Sequence, residues 1–214
     1  MAAAAVLKAH LPSIAFHNSQ PEQANLIGKI SDIATSLSIV YFNNAEEKLK
    51  LEKEVSVWLS DLESLESTFG DSEERVDLLF NDEEPPELGL ISDSEDVLRS
   101  TKASFSSENK NIYFAAEDLT GTLQGVCVMN TEFDQLKYLA TAPANLPIAA
   151  NPSPLRGVGT RLIREAVRLC FANGKSVIDT FPTVSARNYY LHLGFIPRDY
   201  NPKSHWLYLP VNLK

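Results

Sequence analysis

The spacing of apolar residues changes once along this chain, near residue 110, and the change limits the folds open to it. Before that point apolar residues recur at steps of three and four, as one face of an α-helix requires. Leu26, Ile27, Ile30, Ile33 and Leu37 follow a capping box at Ser19-Gln20-Pro21-Glu22 and predict an amphipathic helix. Residues 13–17 read as a short strand ahead of it, and residues 38–42 as a strand or a helix end. Leu51, Val55, Trp58, Leu62, Leu65 and Phe69 predict a longer helix that starts at Asn43 with Glu46 and stops at Gly70. Its stripe packs on its own domain or on a partner. Short helices are expected over 71–80 and 94–101, with an acidic proline turn at 81–87 and an exposed loop at 101–111.

After residue 110 the pattern is that of strands. Residues 112–116 and 123–129 are β-prone runs joined by Asp118-Leu119-Thr120-Gly121, which supplies hairpin chemistry, and 135–141 is a third strand. A Pro- and Ala-rich segment, 142–155, leads into Arg156-Gly157-Val158-Gly159-Thr160. Leu162, Ile163, Ala166, Val167, Leu169 and Cys170 then line one side of a helix that Asn173-Gly174 ends. A strand at 176–180, a helix at 185–193 and a last strand at 206–209 complete the order β-β-β-loop-α-β-α-β. The expected class is α/β (α+β), in two parts: a mainly helical, acidic 1–110 and a mixed 111–214.

A chain of 214 residues with 44% hydrophobic composition can bury a core. The net charge of -9 is uneven: residues 1–110 hold nine basic and 21 acidic side chains, residues 111–214 ten and seven. The acidic part repels phosphate backbones, which argues against a nucleic-acid partner and suits a cationic one; the mildly basic part accepts a phosphorylated small ligand. Cys127 and Cys170 lie far apart in apolar surroundings, without the spacing of a disulfide framework or a metal site, which points to a reducing, cytoplasmic setting and no metal. No apolar run spans a bilayer, and the start of the chain makes a poor signal peptide, so no membrane partner is expected.

The glycine loop is the first feature with chemistry in it. Gly157 and Gly159 lack side chains, so amides around Val158 to Arg161 can crowd an anion at the positive end of the next helix. Two glycines before a helix also serve as a plain tight turn. The loop lacks the Gly-Lys-Ser/Thr ending of a P-loop and holds two of the three Rossmann glycines.

The second feature is Ser185-Ala186-Arg187-Asn188-Tyr189-Tyr190-Leu191-His192-Leu193-Gly194-Phe195. With it the chain resembles the GNAT superfamily of acetyl-CoA-dependent N-acetyltransferases. The family's loop, R/Q-x-x-G-x-G/A, is matched by Arg156 and Gly159, with Arg161 where Gly or Ala is usual; its A-x-x-x-Y-x-x-x-G-F helix is matched by Ala186, Tyr190, Gly194 and Phe195. Thr183 stands where Asn is frequent. The resemblance covers about residues 112–210. A Pro-x-Asn passage found in some members is similar to Pro143-Ala144-Asn145.

The resemblance implies a GNAT-like mixed, splayed central sheet flanked by helices, with an extended helical N-terminal half. It implies acetyl-CoA as cosubstrate, held by Leu139, Ala140, Thr141, Arg156, Gly157, Val158, Gly159, Thr160, Arg161, Thr183 and Ala186. A primary amine of a protein, peptide or small cationic molecule would attack the thioester directly. Tyr190 matches the family's thiolate acid; its other reading is an aromatic packed behind Phe195. Asp179, near the end of a strand beside the splay, is the first candidate base or else a cap of the strand-to-helix turn, with Glu132 and His205 behind it by location. His192 reads as surface. The alternative is a catalytically weak CoA-binding or regulatory module that recruits a protein partner, or dimerises, through the N-terminal helices.

Overall fold

The β-prone runs are apolar at consecutive positions, the pattern of strands covered on both faces. A computed structural model describes residues 37–70, 86–106, 110–148, 151, 154–198 and 205–211 of the chain. In it β1 (Ser38–Tyr41), β2 (Asn111–Glu117), β3 (Leu123–Asn130), β4 (Gln135–Thr141), β5 (Val177–Thr180), β6 (Ile196–Pro197) and β7 (Leu207–Pro210) form a seven-stranded open sheet in the order β1-β2-β3-β4-β5-β7-β6. Successive side chains of a strand point to opposite faces. Tyr113, Ala115, Val126 and Val128 therefore enter one core, and Phe114, Ala116, Cys127 and Met129 the other. The expected hairpin turns on Asp118, whose Oδ1 accepts the Thr120 and Thr122 amides at 2.8 and 3.1 Å.

The first core is covered by α1 (Ala45–Gly70) and α2 (Pro86–Phe105). Leu51, Val55, Trp58 and Leu62 are buried there, so the long stripe packs on its own domain. Asn44 rather than Asn43 caps α1: its Oδ1 accepts the Glu47 amide at 2.9 Å, while Glu47 Oε2 accepts the Asn43 and Asn44 amides at 2.8 and 3.3 Å. α2 is longer than the sequence predicts: it takes residues 101–105 of the expected exposed loop at 101–111 and residues 86–87 of the expected turn at 81–87. Thr101 and Ser104 are buried, and the hydroxyls of Ser94, Thr101 and Ser104 donate to carbonyls of the preceding turn, at 2.7, 2.8 and 2.6 Å. Side chains that look loop-forming are thus satisfied inside the helix.

The second core lies under α3 (Val158–Ala172) and α4 (Arg187–His192). α3 comes close to the sheet over Gly125, where an added Cβ would stand 2.7 Å from Val158 Cγ1 and 2.9 Å from the Ala140 carbonyl oxygen. Cys127 and Cys170 are free and buried in this core. Among the described residues no helix is long and apolar enough to cross a membrane. The strand and helix expected within 13–36, the helix at 71–80, the turn at 81–85 and the side chain of Phe69 lie outside the described residues.

Candidate active site

Among the described residues β4 and β5 are the one parallel pair of the sheet, and their ladder is short. Gln135 pairs with Asp179 and Leu136 with Thr180; beyond that β5 has ended and residues 137–141 of β4 take no β5 partner. A register shift in β4 falls at the same place. Val128 pairs with Tyr138 but Met129 with Leu136, so Lys137 is one residue too many against β3. Such a bulge bends its strand and increases the twist, and it does so immediately past Leu136. Lys137 and Tyr138 then both face the α1–α2 layer: Lys137 Nζ donates to Asn111 Oδ1 at 3.0 Å and Tyr138 packs into that core. Leu139, Ala140 and Thr141, expected to line the cofactor, lie on this open edge, whose backbone groups are available to an added extended chain.

The glycine loop abuts the open edge. Gly157 takes φ of 83°, a left-handed conformation that glycine enters without strain, and serves as N-cap of α3. The first helical amide bond joins the Arg161 N–H to the Gly157 carbonyl at 2.9 Å, so the amides of Val158, Gly159 and Thr160 precede it and have no intrahelical acceptor. Arg161 Nε is buried without a hydrogen-bond partner in the same turn. Three free amides at a helix N-terminus form a donor set that fits a diphosphate, and Arg161 adds a positive charge in that first turn, which also acts on Glu165. Arg156 is exposed one residue ahead of Gly157. The Pro143-Ala144-Asn145 passage holds the approach to this loop: Asn145 Nδ2 donates to the carbonyl and side-chain oxygens of Gln124 at 3.2 and 2.8 Å, and its Oδ1 accepts the Leu155 amide at 3.0 Å.

Gly159 differs from its sequence reading. The space that its missing side chain leaves is taken by the Tyr189 hydroxyl, 2.9 Å from where a Cβ would sit. Its amide remains at the helix mouth, but its bare flank faces α4 rather than a ligand.

α4 carries Tyr190 into the second core, where the ring is 4% exposed and meets Phe195 edge-on at 5.2 Å between centroids. Its hydroxyl pKa is pushed well above the ordinary tyrosine value, by burial first and then by Cys127 and Tyr189, against a hydrogen bond with the Thr180 side chain. Thr180 is the last residue of β5, so the phenol reaches the point where the strands part. The packing reading of Tyr190, an aromatic behind Phe195, is what the ring shows.

Asp179 precedes Thr180 and so points to the opposite face of the sheet. One of its oxygens accepts Arg198 Nη2 at 2.8 Å; the other, Oδ1, is buried without a hydrogen-bond partner. Burial raises its pKa, the Arg198 charge opposes that, and Asp134 adds to the rise. Glu132 is at the other end of β4, in the β3–β4 turn, 74% exposed and 4.0 Å from Lys175, away from the open edge. His205 packs beside Phe181 at 5.8 Å, and His192 is exposed, its ring bonded to the Asn188 carbonyl. Thr183 is 3.4 Å from Ser185 Oγ within its own turn, whose Ser185 amide is held by Asp93 of α2 at 3.0 Å. Ala186, next to α4, packs against the second core.

No family model and no curated protein matches this chain. Similar solved structures bear names of the family that the loop and the tyrosine helix resemble. One is described as a GCN5-related N-acetyltransferase, aminotransferase class II, from Rhodopseudomonas palustris: 16% identical, 81% of this chain and 92% of that one, TM-score 0.46. A GNAT-family acetyltransferase from Staphylococcus aureus Mu50 is 14% identical over 82% of this chain and 99% of that one, TM-score 0.45. The spermidine/spermine N-acetyltransferase SpeG from Vibrio cholerae is 14% identical over 84% and 95%, TM-score 0.40.

Proposed function

We propose that this chain is a GNAT-type N-acetyltransferase that moves an acetyl group from acetyl-CoA to a primary amine of a protein, a peptide or a small cationic molecule. The observation that carries the reading is the open parallel pair: from residue 137 to 141 β4 runs on without a β5 partner, beside the free amides at the start of α3. An extended amide-bearing arm completes such an edge as an added strand would, while Val158, Gly159, Thr160 and Arg161 hold its diphosphate.

Acetyl-CoA, when bound, supplies an activated thioester. The remaining chemistry belongs to the chain. The sheet separates two groups of opposite role, Asp179 on the α1–α2 face and Tyr190 beneath the α3–α4 face. An ammonium has a pKa near ~10 and must lose a proton before it attacks. Asp179, with a raised pKa and one oxygen free of hydrogen bonds, takes that proton. Tyr190, kept protonated by burial, gives its proton to the departing sulfur on the other side. Unpaired β4 amides are the donors for the carbonyl oxygen between them. The acidic composition of residues 1–110 favours a cationic acceptor.

The test begins with melting temperature. Acetyl-CoA at a hundred times its Kd stabilises the fold by ~2.7 kcal/mol, an upward shift of about 5–10 °C for a domain of this size. Arg161→Glu should remove most of it. Release of free thiol on addition of polyamines, lysine peptides or aminoglycosides then reads the transfer. No shift at millimolar acetyl-CoA overturns the reading. A shift without turnover favours the second reading, a CoA-binding module of weak activity, for which Arg161 and Thr183 at departing positions are the support. A partner of such a module would dock elsewhere than on the stripe of Leu51, Val55, Trp58 and Leu62, which is buried.

A further inference from the structure

α4 has six residues, too few to hold helical geometry unaided, so its place depends on what its side chains grip. Tyr190 grips the core. Tyr189, one residue earlier, turns to α3: its hydroxyl lies 3.0 Å from Thr160 Oγ1 in the first turn of that helix. The two rings meet edge-on at 5.6 Å. A Cβ at position 159 would stand 2.9 Å from Tyr189 Oη, 3.5 Å from its Cζ and 3.6 Å from Leu139 Cδ2. β4 at its open edge, α3 at its amide-bearing start and α4 beside the buried phenol therefore converge on one point, with the Tyr189 hydroxyl at its centre. The phenol is partly buried, and burial pushes its pKa up to about 12, against the Thr160 hydrogen bond and the Arg164 charge. At pH 7 it is a neutral hydrogen-bonding group.

We propose that Tyr189 is a positioning residue for the cofactor cradle: its bond to Thr160 fixes the first turn of α3 against α4, and position 159 is glycine to admit that hydroxyl. The inference rests on the acetyl-CoA reading above and assigns a reason to Gly159 that the motif alone does not contain. Removal of the hydroxyl would leave the amides of Val158, Gly159 and Thr160 less well aligned, which weakens cofactor binding without touching the reacting atoms.

A double-mutant cycle tests it, with acetyl-CoA Kd measured by calorimetry at 25 °C, well below the melting of every variant. Tyr189→Phe should raise Kd about fivefold, the value of one neutral hydrogen bond. Gly159→Ala should raise it at least as much, because the Tyr189 hydroxyl must move. In Gly159→Ala/Tyr189→Phe the colliding oxygen is gone and the nearest ring atom is at 3.5 Å, so Kd should return to within twofold of Tyr189→Phe alone. Effects that multiply, with Kd in the double variant equal to the product of the singles, overturn the proposal and show that the Cβ meets the cofactor itself. Kd unchanged in Tyr189→Phe with only a lower melting temperature also overturns it, since that is what a purely structural contact would do. Failure of the wild-type chain to bind acetyl-CoA is a different result and overturns the function.

Discussion

Asp179 binds Arg198 through one carboxylate oxygen at 2.8 Å and buries the other without a hydrogen-bond partner. Two opposite influences on one group follow, and they can be separated by mutation. Burial, with Asp134 behind it, raises the carboxyl pKa, and Arg198 pulls it back. A raised folded pKa means that the carboxyl stabilises the fold below its ordinary range, and that this contribution is lost as pH rises through the raised value. Asp179→Asn should therefore leave the melting temperature at pH 7 unchanged or higher, yet cut turnover by about 10²–10⁴-fold, the range for loss of a general base. Arg198→Ala should move the acid limb of the kcat/KM profile to higher pH. Turnover of Asp179→Asn within twofold of the wild type would remove Asp179 from the mechanism.

Tyr190→Phe keeps the ring that packs against Phe195 and Tyr189 and deletes only the hydroxyl turned to Thr180. The fold should lose about 1 kcal/mol, one buried hydrogen bond, and acetyl-CoA should still raise the melting temperature. Turnover should fall about 10²-fold or more. Because the phenol pKa is pushed well above its ordinary value, the wild-type rate should show no alkaline limb from this group below pH 10; a limb near pH 8 that vanishes in Tyr190→Phe would contradict the burial argument.

What the sequence carries about this molecule divides along physical lines. Steps of three and four made α1 and α3 readable, and β-prone apolar runs made β2, β3 and β4 readable, because burial of one face or two leaves its trace locally. The end of α2 was not readable. Thr101 and Ser104 have loop-like chemistry until a helix carbonyl is in reach of their hydroxyls, and the bond that Tyr113 of β2 donates to the Ser104 carbonyl at 2.8 Å exists only once the strand is packed on the helix. The place where β4 and β5 part coincides with the end of β5 and with the extra residue at Lys137, both visible only in the register of the sheet. The role of Tyr189 is hidden for a like reason. Two adjacent tyrosines are alike in composition, and a rotation of about 100° between neighbours on a helix sends one to Thr180 and the other to Thr160.

Asn145 links β3 to the glycine loop through three hydrogen bonds, two given to Gln124 and one taken from the Leu155 amide. Asn145→Ala frees Leu155, the residue before Arg156, and leaves the partly buried Leu155 amide without its acceptor. The cost should be about 1–3 kcal/mol, read as a lower urea midpoint at constant slope. Acetyl-CoA affinity should fall as well, because the approach to Gly157 is no longer fixed. Asn145→Asp, which keeps the acceptor for Leu155 and loses the donor to Gln124, should fall between the two. An affinity unchanged in Asn145→Ala would show that the loop is held from the α3 side alone.

Glu165 on α3 gathers a polar cluster at the rim of the second core. Tyr41 of β1 donates to it, Arg168 reaches both its oxygens at 2.9 and 3.0 Å through Nε, and Arg168 Nη2 also donates to Tyr41 Oη at 3.0 Å. Burial raises the Glu165 pKa, but the hydrogen bonds from Arg168 and Tyr41 and the charges of Arg168 and Arg161 outweigh it, and the net shift is downward. A depressed folded pKa contributes stability that is present above the ordinary carboxylate range and lost as pH falls through the folded value. Between pH 5 and pH 3 the wild-type chain should therefore lose stability that Glu165→Gln does not lose, and the two melting curves should converge toward the acid end. At pH 7 Glu165→Ala should cost about 3 kcal/mol, since it strands a half-buried guanidinium and a phenol together. The same substitution loosens the contact of β1 with α3, so its effect on acetyl-CoA affinity should be small beside that of Arg161→Glu, one turn nearer the open amides.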